Sequence, residues 1–136
     1  MTQIVYLPRH QGTRAGMLLC ALLWAGCGQR TYQSKPVDDD QAQEVLTHVL
    51  DTWKQGASID SLQNESPKIV VQDLDWSAGV TLVSYELVGE PEPKDANLVA
   101  RVKLSLRDKS GADLEKTVTY VVGTSPTLTV VRDLLK

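Results

Sequence analysis

Residues 98–106, LVARVKLSL, alternate without a break. Leu98, Ala100, Val102, Leu104 and Leu106 take one side of an extended chain, and Val99, Arg101, Lys103 and Ser105 take the other. A period of two with charge on one face specifies an antiparallel β-strand that is wet on one side and covered on the other. Its apolar face needs a second layer. Neighbouring segments extend the pattern. Residues 107–111 (RDKSG) are a turn with glycine for the left-handed position, and residues 114–122 return with Leu114, Lys116, Val118, Tyr120 and Val122 on one face. Residues 123–126 turn again, and residues 127–132 close a meander. Upstream, residues 68–73 and 80–87 are shorter, β-branched strand candidates.

The covering layer precedes the strands. Ala42, Val45, Leu46, Val49, Leu50 and Trp53 recur at helical spacing and form a single stripe. Asp40 is the expected N-cap, with Gln43 as its reciprocal partner, and Asp38 and Asp39 add favourable charge at the helix start. The helix runs to about Gln55, and Gly56 stops it. Ile59 and Leu62 fit one more helical turn on the same core, which Pro67 ends. The expected fold over residues 38–136 is α+β, with one amphipathic N-terminal helix packed on a curved antiparallel sheet of four to five strands.

Residues 1–37 read differently. Residues 1–14 are polar with Arg9 and Arg14, residues 15–26 (AGMLLCALLWAG) are uncharged, and Cys27 follows. This three-zone order is that of an export signal. Twelve helical residues reach about 18 Å, short of a bilayer core of roughly 30 Å. The segment resembles the bacterial lipoprotein signal, in which an apolar residue and two small ones precede a lipidated cysteine. Ala25, Gly26 and Cys27 fit those positions, and Trp24 departs from the usual leucine. Cys20 fits less well, because Leu18 and Leu19 precede it. The resemblance implies cleavage after Gly26, lipid attachment at Cys27 and a tether over residues 27–37. It also implies a place in the cell envelope outside the cytoplasm, with outer membrane preferred over inner because no aspartate follows the cysteine. Each buried CH₂ of an acyl chain contributes about 0.8 kcal/mol to anchorage. Two alternatives stay open: an ordinary secretory signal releasing a soluble protein, and a buried apolar element of the fold.

The helix ending LDTWKQG (residues 50–56), followed by Ser61, Leu62 and a twisted meander, looks like the cystatin-like fold and, more loosely, the nuclear transport factor two superfamily. The stretch TYVVGTSPTLTV is similar to small exported bacterial proteins of no assigned activity. Neither resemblance carries a reaction to this chain.

The full sequence has a net charge of −3. All 17 acidic residues follow Cys27. Without Arg9 and Arg14 the balance becomes 12 basic against 17 acidic, about −5, a sign that argues against nucleic acid as a partner. Both cysteines lie in the first 27 residues, so no disulfide staples the domain. Phosphate loops, HExxH, CxxC and GxSxG are absent from the sequence. His48 is the one histidine after the leader, and it lies off the helix stripe. No metal or other cofactor is expected.

Two acidic features invite a functional reading. Asp73 and Asp75 flank Leu74 beside Trp76, and a carboxylate pair against an aromatic suits sugar binding or acid–base work. The competing reading is a turn in which the aspartates accept from nearby backbone N–H groups and Trp76 enters the core. The loop GEPEPKD, residues 89–95, is a poor cation cage because prolines separate its acids and a lysine sits among them. Arg101, Lys103, Arg107 and Lys116 are expected to cluster on the open sheet face, as a docking patch or simply as solvated charge.

The sequence-based reading is therefore a membrane-tethered, non-enzymatic interaction or accessory domain, its partner being another envelope protein. The alternative is a small-ligand or enzymatic domain with a pocket between Trp53, Trp76 and the sheet, using Asp73 and Asp75.

Overall fold

A computed structural model describes residues 35–136. Gly26, Cys27 and most of the tether therefore lie outside the described residues. Helix α1 spans Asp39–Lys54, and a 3-10 turn spans Ile59–Asn64. Strand β1 is Ile69–Gln72, and the four-residue helix α2 is Leu74–Ser77. Then follow β2 (Thr81–Leu87), β3 (Glu92–Lys94), β4 (Asn97–Arg107), β5 (Asp113–Gly123) and β6 (Leu128–Asp133).

One sheet takes all six strands in the order β1-β6-β5-β4-β2, with β3 also on β4. It is α+β with a helix on a sheet, as expected, but the sheet is mixed. Strand β1 runs parallel to β6, Ile69 facing Leu128 and Val71 facing Val130. The chain reaches that far edge before the meander begins, so β1 is not a meander strand. The β4–β5 hairpin is the frame, pairing eleven residues from Asn97↔Gly123 to Arg107↔Asp113 with no slip. Its turn is closed by Asp108, which accepts from the backbone N–H groups of Ser110 and Ala112, with Gly111 at φ +88°.

The five alternating residues of β4, Leu98 to Leu106, are all buried, as are all six stripe residues of α1. Burying each large aliphatic side chain contributes about 1.5–3 kcal/mol, so this interface carries most of the domain's cohesion. The cap of α1 lies two residues before the expected one. Asp38, extended at φ −85°, accepts the Gln41 N–H at 3.0 Å, which places Asp39 and Asp40 inside the first turn. Val37, just before the cap, packs on the core and sets the entry of the helix. The turn at Ile59–Asn64 buries Leu62 completely.

Candidate functional site

Where β1 ends, the chain turns sharply into α2. Asp73 makes that turn possible. Its Oδ1 accepts the N–H groups of Asp75 at 2.9 Å and Trp76 at 3.0 Å, satisfying donors at a helix start that has no preceding turn. The side chain is 1% exposed. Its Oδ2 accepts the Tyr120 hydroxyl at 2.6 Å, and Arg132 approaches Oδ1 at 3.4 Å. Asp75, two residues along and 18% exposed, accepts Lys116 Nζ with both oxygens at 2.9 Å and also takes Arg132. Two carboxylates and two cations thus close into a neutral network that ties α2 to β5 and β6.

The electrostatics follow from the geometry. Burial alone would raise the Asp75 carboxyl, but hydrogen bonds and charge from Lys116 and Arg132 bring it below the usual carboxylate range. Burial pushes the Tyr120 hydroxyl far up, and the Asp73 charge beside it adds to the effect. Burial would lower Arg132, yet Asp75 and Asp73 hold it above its ordinary value. A carboxylate held ionised by two cations is a weak base and a poor proton donor at neutral pH. An open groove of about 340 Å³ runs past Leu74, Asp75, Lys116, Arg132 and Leu134. Its charged floor, Asp75, Lys116 and Arg132, is already paired within itself, and Thr117, Asp133 and Lys136 complete the lining.

Trp53 and Trp76, singled out from the sequence, do come together. Their rings stack at 5.4 Å between centroids and 7° between planes. The stack is built by two copies of one local motif. Both helices end on Trp-x-x-Gly: Trp53 with Gly56 at φ +84°, and Trp76 with Gly79 at φ +82°. In α1 the N–H of Gly56 bonds to the Trp53 carbonyl and that of Ala57 to Thr52; in α2 Gly79 bonds to Trp76 and Val80 to Asp75. This is the paired-bond helix stop that glycine favours. The indole N–H groups then cross over. Trp53 donates to the Val80 carbonyl at 2.8 Å, and Trp76 to the Ala57 carbonyl at 3.1 Å. Each tryptophan closes the exit of the other's helix. Both rings are buried, at 2% and 7% exposure, so neither offers a stacking platform to a ligand. A groove of about 380 Å³ passes over this knot between Ser58, Asp60, Ser77 and Thr81.

The structure does not bring together every residue singled out from the sequence. His48 lies on the solvent side of α1 and meets Glu65 at 2.8 Å, and it bonds to neither carboxylate of the acid pair. Lys116 does not join the open-face cations. It lies opposite Leu104 in the register, on the helix side of the sheet, where Asp75 receives it. Arg101, Lys103 and Arg107 do share the open face, where Lys103 pairs with Glu115 and Arg107 with Asp113. Composition and spacing gave no role to Tyr120 and Arg132. The signal that finds them is register: Arg132 follows Leu128 and Val130 in the core-facing series, as Lys116 falls between Leu114 and Val118. A cation on a buried face demands a carboxylate. Among the described residues no buried side-chain polar atom lacks a partner, and no group of acidic, histidine or cysteine side chains is arranged to hold a metal ion.

No family model, curated protein or solved structure matches this chain.

Proposed function

We propose that the chain is a lipid-anchored protein of the bacterial cell envelope whose domain acts as a non-enzymatic interaction or accessory module of cystatin-like fold. The anchor reading is supported by the charged start, the apolar run of residues 15–26 and the small residues before Cys27. No helix among the described residues is long and apolar enough to cross a membrane. A lipid anchor would hold the domain at a bilayer without one. The long helix laid across a sheet supports the fold reading.

One observation carries the choice of module over enzyme. The carboxylates best placed to do chemistry, Asp73 and Asp75, are engaged by Tyr120, Arg132 and Lys116 of the same domain. The alternative, a pocket between Trp53, Trp76 and the sheet, loses support because the indoles stack on each other and are buried, leaving an open groove over them and no enclosed cavity. The test of the anchor is the mature N-terminus. Mass spectrometry of the native protein is expected to find Cys27 first in the chain and carrying acyl groups, with detergent-phase partitioning that Cys27→Ala abolishes. An unmodified N-terminus, or native protein wholly in the aqueous phase, would overturn it.

A further inference from the structure

The two edges of the sheet differ in how they are protected. On the β1 side the edge strand has only four residues and the 3-10 turn packs beside it. On the other side, β2 presents seven residues with no neighbour among the described residues. Three of the few exposed large apolar side chains lie here, Val83 and Leu87 in the strand and Val88 just after it, at 42%, 40% and 37% exposure. The backbone there is also available. The Val88 N–H donates to the Arg101 carbonyl at 2.8 Å, so in this antiparallel ladder Glu86 and Ser84 also point toward β4. By alternation, the N–H and C=O groups of Tyr85 and Leu87 point outward. The Tyr85 side chain, meanwhile, is pinned to Asp51 of α1 at 2.8 Å, which ties this part of the edge to the helix just past the register slip between Leu82 and Ser84. Unpaired strand groups with apolar neighbours are a template for another strand.

Charge indicates what kind of strand. Glu86, Glu90 and Glu92 follow one another along this edge, and Asp95 lies at the β3–β4 turn. Lys94 and Arg101, the latter opposite Val88, are the cations beside these four acids, while Lys103, across from Glu86, is drawn to Glu115. The rim is therefore acidic. We propose that β2 is a docking edge for an extended segment of a partner protein, alternating apolar with basic residues, which adds as a seventh strand. Its outward backbone groups would bond to Tyr85 and Leu87, its apolar side chains would cover Leu87 on the helix side of the sheet, and its basic residues would meet Glu86 on the open face and Glu90 and Glu92 beyond it. This deepens the interaction-module reading and rests on it, but not on the anchor.

The probe is a synthetic nine-residue peptide alternating valine with lysine and threonine, added to the full mature protein in detergent micelles. Amide exchange and backbone NMR shifts are read residue by residue. The expected result is slowed exchange at Tyr85 and Leu87, with shifts confined to β2 and its exit. Replacing the lysines by glutamates is expected to weaken binding at least tenfold, as is Glu86→Lys in the protein. Leu87→Pro removes an outward donor without touching the β4 ladder and should abolish binding while the thermal transition is retained. Shifts on the open sheet face or on α1, equal binding of the acidic peptide, or protection of β2 that appears with protein concentration alone would each overturn the proposal. The last would mean that the edge pairs with a second copy. Failure of Cys27 acylation would sink the anchor and leave these outcomes unchanged.

Discussion

Helices α1 and α2 lie over the same sheet and end in the same glycine stop, yet opposite physics holds them. Helix α1, sixteen residues long, is held by an apolar stripe that meets the buried face of β4 and its neighbours. Helix α2 has four residues, too few to form alone, and its first turn is held by charge. Asp73 and Asp75 grip Tyr120, Lys116 and Arg132 of the sheet. The stacked tryptophans are the hinge between the two regimes, since each indole seals the helix end of the other. A long helix can rely on area. A single turn needs specific bonds to stay in place.

The difference also decides what could be read from the sequence. The stripe of α1 and the alternation of β4 are periodic, and periodicity survives without knowledge of partners. Residues 98–106 and Ala42 through Trp53 are buried on the side their spacing requires. Helix α2 has no period to detect. Its start is a side-chain bond from Asp73, and its partners lie 41 to 59 residues away. Strand β1 was equally hidden in its direction, because a parallel pairing with β6 depends on where the chain returns and not on its own residues. The acid pair was visible as chemistry and ambiguous as structure. The deciding clue was the two cations in core register, Lys116 and Arg132, which composition counts as surface charge. The second Trp-x-x-Gly was also in plain view, and its meaning came only when the two copies faced each other.

Several substitutions separate the two regimes. The largest effect is expected where they meet: Trp53→Ala should cost about 3–5 kcal/mol, because it opens a cavity under α1 and frees the Val80 carbonyl. Chemical denaturation measures it, and a loss below about 1 kcal/mol would mean that the stack is dispensable. Next comes Asp73→Ala, at about 3 kcal/mol, combining a lost cap of about 1 kcal/mol with a buried tyrosine and an arginine left short of acceptors. Asp73→Asn should cost less, since an amide oxygen can still cap.

Lys116→Ala should cost only about 0.5–1 kcal/mol, because the lysine is partly exposed, and the loss should shrink as salt is added. If Lys116→Ala matched Asp73→Ala, the division of labour drawn here would be wrong. His48→Ala on the solvent side of α1 should fall within about 0.5 kcal/mol of the parent.

The pH dependence has a predicted sign at each end. Asp75 ionises below its ordinary value in the folded domain, so its contribution is present above the unfolded carboxylate pKa and is lost as pH falls through the lower folded value. The α2 corner should therefore loosen first in acid, read by exchange of the Trp76 amide, before α1 melts. Burial, with Asp51 adding to it, pushes the Tyr85 hydroxyl up to about 12. That contribution is full below the unfolded tyrosine value of about 10 and fades between there and 12. Tyr85→Phe should flatten that alkaline limb.

The most direct test of the internal clamp is a double-mutant cycle on Asp75 and Arg132, with Asp75→Asn, Arg132→Met and both together, followed by urea unfolding. The clamp predicts that the double variant loses less than the sum of the singles, with a coupling above about 1 kcal/mol. Strict additivity, within about 0.3 kcal/mol, would contradict it and return Asp75 to the ranks of carboxylates free to serve a ligand.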